Sequence, residues 1–292
     1  MSDALDAYVA TALDAPVAGH VRAIAERLAT AGVAAILFYG SNLRTGSTDG
    51  VLDFYVLTAG PPERGLWPRV GYREITVDGQ TLRAKIATMR LTTFAQAAGG
   101  TLADTTIWTR FVQPAALVWV ADGATRATVV TAVAAASVTA ARFAAALGPE
   151  RGTAADYWRA LFRQTYAAEL RVEKPGREEQ ILVHGAGRYE ALLPLAWEAA
   201  GIAFTQKGGD YVPVLSDRPA IGAAWRRRRR IGKPLNVIRL IRAAWTFEGA
   251  GEYGAWKVER HTGIAVPMTP WRRRHPILAA PGVFWRIWRA RR

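Results

Sequence analysis

Apolar residues in this chain fall into alternating blocks of two kinds. Residues 36–39 and 51–57 are short apolar runs with the length and composition of buried strands, and a polar, glycine-rich stretch of turn formers separates them. Upstream, Val21, Ile24 and Leu28 recur at helical spacing within 17–31, which predicts a helix leading into the first strand. After a loop reading Gly60-Pro61-Pro62-Glu63-Arg64-Gly65, residues 72–77 and 81–89 flank Asp78-Gly79 and read as a hairpin. Short helices over 92–98 and 105–112 and a strand over 116–120 follow. From 127 to about 201 the pattern turns helical. Thr153 is placed to cap a helix carrying Tyr157, Leu161, Tyr166 and Leu170 on one side, Lys174-Pro175-Gly176 ends it, and a further helix covers 188–199. The expected class is α+β: a domain around a small mixed sheet over 1–121, a helical domain over 122–221, and a region over 222–292 that 249–254 and 263–270 break into pieces too short to assign.

Composition narrows the chemistry. Half of the 292 residues are apolar, enough for a sizeable core. The absence of cysteine excludes disulfides, thiolate zinc sites and cysteine nucleophiles, and fits a reducing compartment. His20, His184, His261 and His275 show no metal-ligand spacing. The first residues carry acids where a signal peptide would carry bases, and lack the arginines of a transit peptide, so a cytoplasmic location is expected. The longest uncharged apolar stretch, 127–141, is fifteen residues of mostly Ala, Thr and Ser. That is short of the roughly 20 a spanning helix needs, and it reads as a packed helix of a soluble domain.

Charge changes the picture at the other end. Residues 1–221 hold 21 Lys+Arg against 21 Asp+Glu, whereas 222–292 hold 17 Lys+Arg against three acids and six of the eleven tryptophans. Arg226, Arg227 and Arg228 begin a run of five arginines, Arg272–Arg274 follow Trp271, and the chain ends with Trp285 and Trp288 among arginines. If the end is helical, Phe284, Trp285, Ile287 and Trp288 share a sector about 160° wide. Such a mixture suits nucleic acid, through phosphate contacts and stacking, an anionic membrane surface, or a solvated basic face. The aromatic bulk favours the membrane, and Arg226, Arg227, Arg228, Trp285 and Trp288 are the expected contacts.

Candidate chemistry sits in the first two strands. Gly40 lets a phosphate approach the backbone, Ser41 and the N–H groups after it donate to phosphate oxygens, and Asp53, alone in an otherwise apolar strand, suits a divalent cation. The plain alternative is a surface hairpin loop with a solvated aspartate, against which stands the cost of burying an unpaired carboxylate.

With eleven residues between Ser41 and Asp53, the segment resembles the hallmark of the nucleotidyltransferase superfamily, with Tyr55 where a second carboxylate is usual. Three further segments resemble the mitochondrial-type CDP-diacylglycerol synthases, the translocator assembly and maintenance family of phosphatidate cytidylyltransferases. They are Leu82-Arg83-Ala84-Lys85-Ile86-Ala87, Trp108-Thr109-Arg110-Phe111-Val112-Gln113-Pro114, and Thr165-Tyr166-Ala167-Ala168-Glu169-Leu170-Arg171. The resemblance covers roughly 36–200. It implies a nucleotidyltransferase-like first domain and condensation of CTP with phosphatidic acid to CDP-diacylglycerol and pyrophosphate, with Mg²⁺ or Mn²⁺, on the inner face of a membrane. It implies Gly40, Ser41 and Arg110 at the nucleotide, Asp53 and Glu169 at the metal, and Asp53, Lys85 and Glu169 in catalysis. Lys85, Arg110 and Glu169 also have plain readings as solvated or surface-paired groups. Nucleotide transfer to RNA or a small molecule, and an inactive membrane-bound module, remain the alternatives.

Overall fold

A computed structural model describes residues 3–168, 177–246, 249–263 and 265–274, together with Ala279, Gly282 and Trp285. In chain order the elements are α1 (Asp3–Leu13), α2 (Gly19–Leu28), β1 (Val33–Tyr39), α3 (Ser41–Thr45), β2 (Val51–Thr58), β3 (Arg69–Val77), β4 (Gln80–Arg90), α4 (Leu91–Ala98), α5 (Thr106–Phe111) and β5 (Ala115–Val120). They continue as α6 (Gly123–Leu147), α7 (Ala154–Ala168), α8 (Arg177–His184), α9 (Ala186–Ala199), β6 (Ala203–Lys207), β7 (Asp210–Val214), α10 (Arg218–Thr246), α11 (Ala250–Thr262) and α12 (Pro270–Arg274). The class is α+β, as expected.

The first five strands form one mixed sheet in the order β3-β4-β2-β1-β5, parallel only between β2 and β4. Its two faces have separate cores. Ile36, Phe38, Phe54, Val56 and Ile86 pack with Val21, Ile24 and Leu28 of α2. Leu37, Tyr55, Leu57, Ala87 and Met89 point the other way, into a larger core with α1, α4, α5 and α6. Burial on both sides explains why β1 and β2 read as continuous apolar runs rather than alternating ones. The expected hairpin is β3–β4, closed by Asp78 (φ 49°) and Gly79 (φ 77°), both left-handed as a two-residue type I′ turn requires.

The larger core runs from Leu5 to Trp225 and draws on all three segments expected from the sequence. Asp122 Oδ1 accepts from the Thr125 N–H at 2.7 Å and starts α6. α6 is the one helix among the described residues long and apolar enough to cross a bilayer, yet it is mostly buried, packed on α1, α4, α5, α7 and α9. Thr153 caps α7 as the sequence predicts: its Oγ1 accepts from the Asp156 N–H at 3.3 Å while Asp156 Oδ2 accepts from the Thr153 N–H at 3.0 Å. Buried aromatics tie the helices together through their polar ends. Trp158 Nε1 donates to the Tyr189 carbonyl and Trp197 Nε1 to the Ala141 carbonyl, each at 2.9 Å. The β6–β7 hairpin, turned by Gly208-Gly209, and the continuous α10 were not assigned from the sequence.

The arginine run lies on α10, and helical geometry divides it. Ile221, Trp225 and Arg228 face inward at i, i+4 and i+7, while Arg226, Arg227, Arg229 and Arg230 are exposed. Arg228 therefore departs from its expected place at a membrane. It is 6% exposed, lies over the Phe143 ring, and donates through Nη2 to the Gly100 and Leu102 carbonyls. Arg228→Ala would leave two partly buried carbonyls short of a donor and remove a buried side chain from the Phe143 ring, and we expect urea denaturation to show a loss of about 2 kcal/mol. Arg227→Ala, on the solvent side, is expected to stay within about 0.5 kcal/mol of the parent. Equal effects would place the two side chains in the same environment.

Candidate active site

β1 ends at Gly40, whose φ of 95° and ψ of −163° define a backbone conformation open essentially to glycine. The chain turns there for a steric reason too. A Cβ on Gly40 would lie 3.1 Å from Asp53 Oδ2, so the glycine is what lets the carboxylate sit against the turn. Asp53 is in β2, opposite Tyr39 in the antiparallel ladder and beside Lys85 in the parallel one. The register alone thus places Gly40, Asp53 and Lys85 side by side. Lys85 Nζ is 3.8 Å from Asp53 Oδ1.

The loop between the strands is held by a residue that the sequence reading passed over as a turn former. Asn42 is buried, and its Nδ2 donates to the Ser47 carbonyl at 2.8 Å and the Asp49 carbonyl at 3.0 Å. This fixes the loop while leaving Ser41 exposed at the start of the single turn α3. Asp49 is exposed as well.

Arg110 enters from the opposite side on α5. Its Nη1 donates to the Tyr55 hydroxyl at 2.8 Å, and its guanidinium lies 5.3 Å and 5.6 Å from the ring centroids of Tyr39 and Tyr55. Tyr55 is fully buried and meets Phe111 edge to face at 5.2 Å. Two residues after Asp53 the strand thus carries a phenol that orients an arginine. Burial pushes the Tyr55 and Tyr39 phenols up, so neither is an acid or base near neutral pH.

Together these groups line a cavity of about 190 Å³: Gly40, Ser41, Arg44, Asp53, Lys85 and Arg110, with Tyr166, Gln113, Pro114 and Ile181 at its rim. Among the described residues three cations face one carboxylate, a lining whose charge favours anions. Arg44 joins the site only through the fold, since no spacing in the sequence marks it, while Tyr166 belongs to one of the segments that carry the family resemblance. A larger cleft of about 270 Å³, lined by Arg69 and Arg73, opens on the other face of the sheet, but no carboxylate lines it. Among the described residues no three His, Asp or Glu side chains converge. Glu169 and Trp288 lie outside the described residues; Trp285 is exposed, as are Arg226 and Arg227, all away from the cavity.

The donor set fits a divalent cation in one way. A single carboxylate with a neighbouring lysine is a poor isolated cage, but Mg²⁺ is commonly held by one or two carboxylates plus the phosphates of its ligand. Asp53 suits an ion that arrives with its phosphates.

No family model matches this chain, and no curated protein matches it in sequence. The functional reading rests on the geometry of the cavity.

Burial pushes the Asp53 carboxyl above its ordinary value of 3.8, opposed by Lys85 and Arg110. Between the unfolded and folded values the native state keeps a proton that the unfolded chain has lost. Stability therefore falls as pH rises through that window, and the penalty is complete above it. Asp53→Asn is expected to resist urea better than the parent at about pH 7, with the gap closing at about pH 3. A gap that widens on acidification would reverse the assigned direction.

Proposed function

We propose that the chain is a nucleotidyltransferase that joins CTP to phosphatidic acid, releasing pyrophosphate and forming CDP-diacylglycerol at an anionic membrane surface. The observation that carries this reading is the convergence of Gly40, Asp53, Lys85 and Arg110 on one cavity, where a carboxylate and fixed cations face a glycine turn. At about 190 Å³ the cavity is smaller than the roughly 300 Å³ or more typical of a whole ligand site. It has room for the phosphates of a nucleotide, with the nucleoside at the mouth.

In the proposed reaction a phosphate oxygen of the lipid forms a bond to the α-phosphorus of CTP, and the bond from that phosphorus to the bridging oxygen breaks. The electron pair leaves with pyrophosphate. The attacking phosphate is already ionised near neutral pH, so no strong base is required. The protein's part is alignment and neutralisation of charge. Lys85 and Arg110 face the negative oxygens, Ser41 donates from the turn, and Tyr55 keeps Arg110 directed inward. A bound Mg²⁺ or Mn²⁺ held at Asp53 would add charge neutralisation at the phosphates. The exposed arginines of α10, with Ile231, Val237 and Ile238 exposed on the same helix, favour an anionic bilayer as the place where the lipid is met. The same arginines are compatible with an RNA backbone, which makes transfer to RNA the second reading.

Purified protein supplied with a panel of nucleoside triphosphates, Mg²⁺ and vesicles containing phosphatidic acid decides between them. CTP-dependent formation of CDP-diacylglycerol is expected, abolished by Asp53→Asn and lowered about a hundredfold by Lys85→Met. Label transfer to RNA with indifference to the vesicles would support the second reading. No transfer to any acceptor would leave a binding module.

A further inference from the structure

A buried ion pair lies behind the helix that delivers Arg110. α5 is six residues long, too short to hold its shape without help from its surroundings. Asp104, just before it, is 3% exposed at its side chain. Its Oδ2 accepts from the N–H groups of Thr106 at 3.0 Å and Ile107 at 3.3 Å, and its Oδ1 accepts from the Thr106 hydroxyl at 3.0 Å. Oδ1 also accepts from Arg239 Nη1 of α10, whose guanidinium lies 4.5 Å from the Trp67 ring centroid. The grip is repeated along that helix. Arg228, three turns earlier, donates to the Gly100 and Leu102 carbonyls, and Arg242 donates to the Leu66 carbonyl. Arg228 and Arg239 of α10 thus hold residues 100–104, the chain that leads into α5. The charges of Asp104 and Arg239 also reach the Tyr55 phenol that accepts from Arg110.

We propose that Asp104 and Arg239 are positioning residues for the anion site: their ion pair fixes the first turn of α5 and so sets how Arg110 enters the cavity. The identity of the anion rests on the nucleotide reading; the positioning does not. Asp104 keeps three other donors when Arg239 is lost, so its charge is not stranded and the fold should survive the change. The pair then acts on orientation, to which a phosphate site is sensitive.

The test uses the full chain and two readouts, hydrogen exchange of the amides of 107–111 without ligand, and calorimetric binding of pyrophosphate with Mg²⁺. Arg239→Met is expected to speed exchange in 107–111, leave β1 and β2 protected, and weaken pyrophosphate about tenfold. Arg239→Lys, which restores a charge, should recover part of both. Should Arg239→Met fail to fold, Asp104→Asn is expected to give the same paired signature. Unchanged exchange in 107–111, or faster exchange with unaltered pyrophosphate affinity, overturns the proposal, because a merely structural contact would move only the first readout. Parent protein that binds no pyrophosphate would sink the nucleotide reading instead, and the exchange arm would still decide whether the ion pair holds α5.

Discussion

The geometry of the cavity depends on one steric fact: a carboxylate in an apolar strand is placed against a turn that only glycine can make. Asp53 Oδ2 occupies the space beside Gly40 that a side chain there would crowd, and the φ of Gly40 excludes ordinary residues independently. Two separate constraints therefore converge on one residue. The carboxylate is costly where it lies, since burial raises its pKa despite two nearby cations.

From that point the site is assembled by register and by packing in turn. β-pairing brings Lys85 beside Asp53 with no tertiary help, because the two are partners in the parallel ladder. Arg110 is different. It comes from a six-residue helix whose first turn is capped by Asp104 and tied to α10, and whose last turn rests on Tyr39 and Tyr55. α10 is therefore not an appendage to the folded unit: it presents four arginines outward, while Arg228 and Arg239 hold residues 100–104, which lead into α5, and Arg242 donates to the Leu66 carbonyl.

This division explains what was legible in the sequence. β1, β2 and the β3–β4 hairpin were readable because each is local, an apolar run bounded by glycine turns, and the Thr153 cap was readable for the same reason. Gly40 and Asp53 could be singled out because a glycine turn and a lone carboxylate break an apolar pattern, whereas Lys85 was marked only by the resemblance of its strand to a known family. Asn42 could not, since a buried asparagine and a turn asparagine look alike until the carbonyls of Ser47 and Asp49 are seen to accept from it. Arg228 is expected at a membrane surface from the sequence because it belongs to a run of five arginines in a tryptophan-rich region. The 100° step of a helix makes that impossible for all five, and the i, i+4, i+7 relation of Ile221, Trp225 and Arg228 was the signal that could have shown it. Asp104 and Arg239, 135 residues apart, had no such signal.

Under the proposed nucleotidyltransferase reading Tyr55 stands where a second carboxylate is usual, and that difference would change the electrostatic logic of the cavity rather than merely weaken it. Two carboxylates would leave a site negative until cations arrive, so that binding of ions and nucleotide would be tightly linked. Among the described residues one carboxylate faces Lys85, Arg110 and Arg44, so their lining is positive beforehand, and the Tyr55 hydroxyl holds the Arg110 charge in place. Fixed cations need no separate binding event, and Arg110 is pre-oriented by the Tyr39 and Tyr55 rings, which suits it to a ligand whose charge is already developed when it arrives. Arg110 is also less adaptable than a metal ion, since its position depends on α5 and its anchors. A site built in this way exchanges dependence on a second ion for dependence on its own packing.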